Sequence, residues 1–250
     1  MSEIIFDRKL LRLNRARFAK DFTKHNFLHH EVANRIAENV GFLNREFDDI
    51  LEIAPRDGYL SALITTKNKF IIEDEENLFS EKNSFDLIVS NLNLHFINNI
   101  LQFLLQVKNL LKPGGIFIAS FFGEENLSEL AHVLYKTENE IYGGISPRMM
   151  PTIDVKTAAA LLQKVGFANP ISDFEKIKVE YSNPQKLLND LKFMGQGNIL
   201  TKRSRRFFTK NFLQKIFQNY QKFYGNADGK ISATFELITI SGWSPDKIKL

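Results

Sequence analysis

A chain of 250 residues with 44% hydrophobic and 12% aromatic residues can bury a sizeable core, as one large domain or two small ones, which excludes a disordered protein. The absence of cysteine excludes a disulfide scaffold, thiolate metal sites and cysteine nucleophiles. A formal net charge of +4 is too small to imply a nucleic-acid partner by itself, and no apolar run approaches the length of a membrane span.

In chain order, Phe6 to Lys20 carries Leu10, Leu13 and Phe18 at helical spacing among basic residues, and Phe27 to Val40 repeats the pattern through Val32 and Ile36. The amphipathic basic N-terminus also has acidic residues and a regular continuation, so it reads as a folded helix rather than a transit peptide, in a cytoplasmic protein. His25 and His29 share a face if this helix is continuous. No glutamate lies between them to complete a metal motif, so both read as surface histidines and no metal is expected.

The stretch FDDILEIAPRDG (47–58) reads as a buried strand running into a ligand-binding turn at a helix start. A cofactor such as S-adenosylmethionine (SAM) is held at such a turn by an acidic residue followed by glycines at alternate positions, because only glycine lets the backbone come close. Here the series runs Glu52, Ala54, Arg56, Gly58, so two of three glycines are replaced. Tyr59 to Thr66 has room for a short helix. A strand follows at Lys69 to Glu73, then the acidic run Glu73 to Glu76.

FDLIVSN (85–91) reads as a strand with a polar C-terminal edge, where open α/β sheets bind ligands. Asn91, Asn93 and His95 follow, with His95 the candidate base or, the reading favoured, a hydrogen-bonded structural histidine at the strand end. A helix over 97–111 stops at Lys112, Pro113, Gly114 and Gly115 before a strand over 115–122, and this alternation predicts a mainly parallel sheet. Helices are expected over 125–141 and 155–165, the latter capped by Thr152 or Asp154 and ended by Gly166. A strand over 171–183, helices over 184–194 and 205–224, and a last strand over 232–243 complete the chain. With no repeat and no low-complexity linker we read a single domain over 1–250: a helical lid (1–45), a sheet core (46–182), a helical insertion (183–230) and the last strand (231–250).

FDLIVSN, LKPGG, GIFIASFFG and LLQKVGF together resemble the class I SAM-dependent methyltransferases. IFDRKLLRLNRARFA, SNLNLHFIN, GGISPRMMP, DLKFMGQGN and DGKISATFELITISGW resemble the complex I assembly factor branch of that family, related also to the malonyl-carrier-protein O-methyltransferase of biotin synthesis. The resemblance implies a Rossmann-like seven-stranded sheet with an antiparallel last strand, a SAM cleft at the C-terminal strand edges, and, in that branch, hydroxylation of an arginine on a respiratory complex I subunit. It assigns Glu52, Ala54, Arg56, Gly58, Asp74 and Asn91 to the cofactor. Only Tyr59 to Asn68 separates Gly58 from Lys69, so one strand–helix unit is missing. KFIIE then fits the third strand, with Asp74 at the adenine edge; the opposing alignment makes KFIIE the second strand and Glu73 the ribose acid.

A lost hydrogen bond to a charged group removes about one to two powers of ten in affinity. A left-handed backbone at Arg56 would cost about 1 to 2 kcal/mol more. The expectation is therefore a degenerate site that binds SAM weakly or not at all, with Arg56 pairing to Glu52 in the vacant space and a complex I subunit as protein partner. The alternative is an active methyltransferase or arginine hydroxylase acting on a protein. Two further candidates are Arg148 in GGISPR, as a carboxylate holder or part of a plain turn, and the cluster Lys202, Arg203, Arg205, Arg206 and Lys210 beside Phe207, Phe208 and Phe212. The cluster reads as the solvated face of an aromatic-cored helix rather than a nucleic-acid surface.

Overall fold

The computed structural model describes residues 3–206 and 208–246. Helix α1 (Arg8–Phe18), a 3-10 turn (Ala19–Lys24) and α2 (Phe27–Phe42) precede the first strand, β1 (Phe47–Ile53). A short helix α3 (Tyr59–Leu63) leads to β2 (Thr66–Ile72), and β3 (Phe85–Asn91), α4 (Ile100–Leu110) and β4 (Leu111–Phe122) follow. Helices α5 (Ser128–Tyr142) and α6 (Val155–Val165), strand β5 (Ala168–Tyr181), helices α7 (Pro184–Phe193) and α8 (Lys210–Tyr224) and strand β6 (Ile231–Trp243) end the chain. Side-chain caps fix several helix starts: Asp7 accepts from the Leu10 amide, Asp154 from Thr157 and Asn183 from Lys186, while Gly166 ends α6 in the left-handed conformation.

The six strands lie in the order β2-β1-β3-β4-β6-β5. The first four are parallel, and β6 runs antiparallel to both β4 and β5, as the last strand was expected to run. Period-two alternation divides the core between the two faces. Leu87, Val89, Ile116 and Ile118 face one layer with Leu28, Val32, Ile36, Leu130 and Ile216, whereas Ile88, Phe117, Ala119 and Phe121 face the other with Phe103, Val107, Ala158 and Leu162. Burial on both faces explains why β3 reads as an unbroken apolar run.

Three sequence expectations need correction. KFIIE does not take a third-strand position: Lys69, Phe70, Ile71 and Ile72 pair directly with Ile50, Leu51, Glu52 and Ile53 of β1, so among the described residues β2 is the edge and the seventh strand has no counterpart. The LKPGG turn is absorbed into β4 as an irregularity, because the β3 partner jumps from Leu111 at Phe85 to Ile116 at Leu87, with Gly114 at φ +69° turning the chain. The helix expected from Arg205 begins at Lys210, where Thr209 caps it. Phe207 of the aromatic–basic cluster lies outside the described residues.

Candidate functional site

The C-terminal ends of β1, β2 and β3 meet beneath α1 and the turn that follows α7. At the end of β1 the left-handed residue is Ala54, at φ +50°, together with Gly58 at +70°; Arg56 is not left-handed, so the strain expected there falls on Ala54. The Ala54 amide donates to the Ile72 carbonyl (2.7 Å), and its carbonyl accepts from Asn93 Nδ2 (3.0 Å). The strand-end turn is thereby saturated by its own neighbours. Gly58 caps α3 from outside: its carbonyl accepts from the Ala62 amide and from Ser61 Oγ.

Glu52 is buried and accepts from the Ser61 amide at 3.1 Å; burial raises its pKa, opposed by the Ser61 bonds. It makes no ion pair with Arg56 among the described residues, contrary to expectation. Arg56 turns the other way, its Cζ 4.6 Å from the centre of the Phe22 ring, a cation–π contact formed under partial burial that lowers its pKa to about 10. Asp74 is spent on a turn, accepting from the Glu76 amide and Asn77 Nδ2, with Arg12 3.6 Å away. Asn91 donates to the His29 carbonyl at 2.8 Å.

The centre of this region is an ion cluster that motif reading missed. Glu75, 2% exposed, lies 2.5 Å from Arg8 Nη2 and 3.5 Å from Arg15 Nη1. Arg15 reaches on to Asn93 Oδ1 (2.7 Å), and Arg8 donates to the Phe96 carbonyl (3.0 Å). Burial brings Arg15 down to about 9, although Glu75 acts to raise it. The signal was present in the sequence: Arg8, Arg12 and Arg15 recur at helical spacing on the face of α1 that also carries the buried Leu11, and a run of four acidic residues, 73–76, is available to receive them. Above the arginines lies Gly195, at φ +78°; a methyl group there would come within 3.2 Å of Arg15 Cγ and 3.7 Å of Arg56 Nη2. Only a glycine lets the turn close over them.

His95 is buried beside this cluster. Its Nε2 meets Gln196 Oε1 at 2.9 Å, and since that oxygen accepts, the proton sits on Nε2 and leaves Nδ1 facing the Phe122 amide at 3.5 Å. Burial is the main cause that lowers its pKa to about 3, so the ring is neutral at physiological pH. His29 is not on the surface: it is 2% exposed, packs edge-on to Phe22, and burial holds it well below the usual histidine range. His25 pairs with Asp190 of α7 at 2.5 Å and stacks on Phe193, which ties the N-terminal helices to the segment DLKFMGQGN. No group of three metal-ligating side chains occurs among the described residues.

On the far side of His95 a cavity of about 1370 Å³ opens between Phe122–Ala131, Pro147–Thr152 and the turn after α7. None of Glu52, Ala54, Arg56, Asp74 or Asn91 lines it. Arg148, at its wall, holds a carboxylate as the sequence suggested, but an internal one: Glu138 accepts from Arg148 Nε (2.9 Å), Arg148 Nη2 (2.6 Å) and the Ser146 amide (2.7 Å). Lys202 and Arg203 pair with Glu3 and Asp7, and Arg206 lies over the Tyr142 ring.

A methyltransferase domain model matches residues 24–119. The mouse mitochondrial arginine-hydroxylase NDUFAF5 is 33% identical over 265 residues, covering 96% of this chain and 77% of the relative. This chain belongs to the NDUFAF5 branch of the methyltransferase family. A malonyl-acyl-carrier-protein O-methyltransferase from Gallionella capsiferriformans is 23% identical over 98% of this chain and 93% of its own length. Among solved structures, the YcgJ protein from Bacillus subtilis superposes with a TM-score of 0.56 at 13% identity, over 87% of this chain and 100% of that one, a likeness of fold alone. Of the six assigned residues, Glu52, Ala54, Gly58, Asp74 and Asn91 make hydrogen bonds within the chain, and Arg56 lies against the Phe22 ring.

Proposed function

We propose that this NDUFAF5-type protein is a methyltransferase-fold binding protein that takes part in complex I assembly, with a SAM site closed by its own side chains. One observation carries the reading: an unbroken line of contacts from Ala54 through Asn93 to Arg15, and from Arg56 to Phe22, roofed by Gly195. The kinship with NDUFAF5 supports a protein partner, in this reading a respiratory complex I subunit; that relative is mitochondrial and lends no support to the cytoplasmic placement expected from the sequence. Among the described residues no helix is long and apolar enough to cross a membrane. His95 serves as a positioning residue that holds Gln196 and the turn after α7. The layout of lid, sheet core, helical insertion and last strand is that of one domain.

Titration calorimetry and thermal melting with SAM and S-adenosylhomocysteine test this. We expect no saturable heat and no melting shift at millimolar ligand. A ligand at a hundred times its Kd would stabilise the native state by about 2.7 kcal/mol, several degrees in Tm, and that result overturns the reading.

A second reading, an active SAM-dependent arginine hydroxylase or methyltransferase acting on a protein, is favoured by another observation. The Nε atoms of Arg15 and Arg56 and both ring nitrogens of His29 are buried without partners, and a ligand carboxylate would satisfy the two arginine donors and the one protonated nitrogen of the neutral ring. The Arg56→Gly variant separates the two. It opens space and allows weak SAM binding if the arginine is a plug, and it abolishes binding if the arginine is a ligand-holder.

A further inference from the structure

Strand β2 is the edge of the sheet and is exposed along nearly its whole length, on both faces. Phe70 and Ile71, on opposite faces, are 47% and 54% exposed. An edge strand open on both sides, with Phe70, Ile71 and Ile72 at its end, is a template for pairing with another strand. The direction of its free hydrogen-bonding groups is fixed: the Ile72 carbonyl accepts from Ala54 on the β1 side, so Lys67, Lys69 and Ile71 turn their N–H and C=O groups outward. Among the described residues nothing pairs with them.

We propose that the outer edge of β2 is a homodimer interface, on which a second copy of the chain lays its own β2 antiparallel about a two-fold axis at Ile71. The charge order selects this partner. The strand is basic at its start and acidic just past its end, so antiparallel self-pairing sets unlike charges opposite each other, whereas parallel pairing sets like beside like. With Ile71 opposite its own copy, Lys69 faces Glu73 of the second copy and Phe70 faces its Ile72. Both Lys69 and Glu73 are exposed, and neither joins an ion pair among the described residues. A slip of two residues would instead put Lys69 opposite Ile71, so the matched pairs specify the register. The interface lies at the sheet edge and does not depend on whether the cofactor cleft is closed.

Sedimentation velocity of the full chain over a concentration series tests it, with melting curves as a control for folding. The wild type is expected to shift from monomer to dimer as concentration rises, and Ile71→Lys to remain monomeric. Lys69→Glu and Glu73→Lys each place like charges opposite at two symmetry-related sites and weaken the dimer by about 2- to 30-fold. The Lys69→Glu/Glu73→Lys double variant restores it. Hydrogen exchange at the amides of Lys69 and Ile71 slows as the dimer forms. A wild type that stays monomeric, a dimer indifferent to Ile71→Lys, or a double variant no better than the single ones overturns the proposal.

Discussion

Replacing Glu75 with glutamine is expected to destabilise the protein by about 3 to 5 kcal/mol, because it leaves the buried Arg15 without a counter-ion and Arg8 with only Glu76, 3.9 Å away. Glu75 is the carboxylate that Arg8 and Arg15 share, and all three side chains are largely out of water. For a chain of this size the melting temperature would fall by about 6 to 20 °C. The loss is not the worth of the ion pair, since taking three charges out of water is itself expensive. Combining Glu75→Gln with Arg15→Met removes one of the stranded charges, so the double variant should be more stable than Glu75→Gln alone, a coupling that a double-mutant cycle in urea measures. A loss below about 1 kcal/mol would show that water reaches Arg8 and Arg15.

Stability is also expected to fall steeply between pH 6.5 and 5, before most carboxylates titrate. His95 and His29 are neutral in the folded chain, with pKa values depressed by burial to about 3 and well below normal. In the unfolded chain each takes up a proton near pH 6.5. The unfolded state thus binds more protons in this window, and stability present above pH 6.5 is lost as pH falls, by about 1.4 kcal/mol per pH unit for each histidine. Glu52 acts in the opposite sense, since its raised pKa favours the protonated folded form as the solution becomes acidic. Urea unfolding at successive pH values checks the slope. In a His95→Asn variant it should drop by about half, and an unchanged slope would assign the acid sensitivity elsewhere.

The parallel core of the fold was legible because β1, β3 and β4 are buried on both faces and therefore appear as apolar runs between turn residues. The cap of α6, read as Thr152 or Asp154, lies at Asp154; Asp7 and Asn183 cap α1 and α7 in the same local way but were not singled out in the sequence. The position of β2 was not legible: an exposed strand lacks a burial pattern, and only its pairing with β1 says which place it occupies. The site divides in the same way. Motif spacing brought Glu52, Ala54, Gly58 and Asn91 to one sheet edge, but Arg8, Arg15, Glu75 and Gly195 come from segments up to 187 positions apart, a distance over which no periodicity operates. Arg56 was placed correctly along the chain and wrongly in direction, because Phe22 offered its ring on the opposite side from Glu52.

The start of the lid is sewn to the helical insertion late. The Asp7 amide donates to the Ile199 carbonyl, the Thr201 amide to the Ile5 carbonyl, and Phe6 forms a bridge with Leu200. A nascent chain leaving the ribosome therefore holds its first helix without its final partner until some two hundred residues have been added, about 10 to 40 s at ordinary rates of translation. Throughout that interval Phe6 and Leu11, which pack on Ile199 and Leu200 in the finished fold, lack those apolar partners and stay open to chaperones that bind during synthesis.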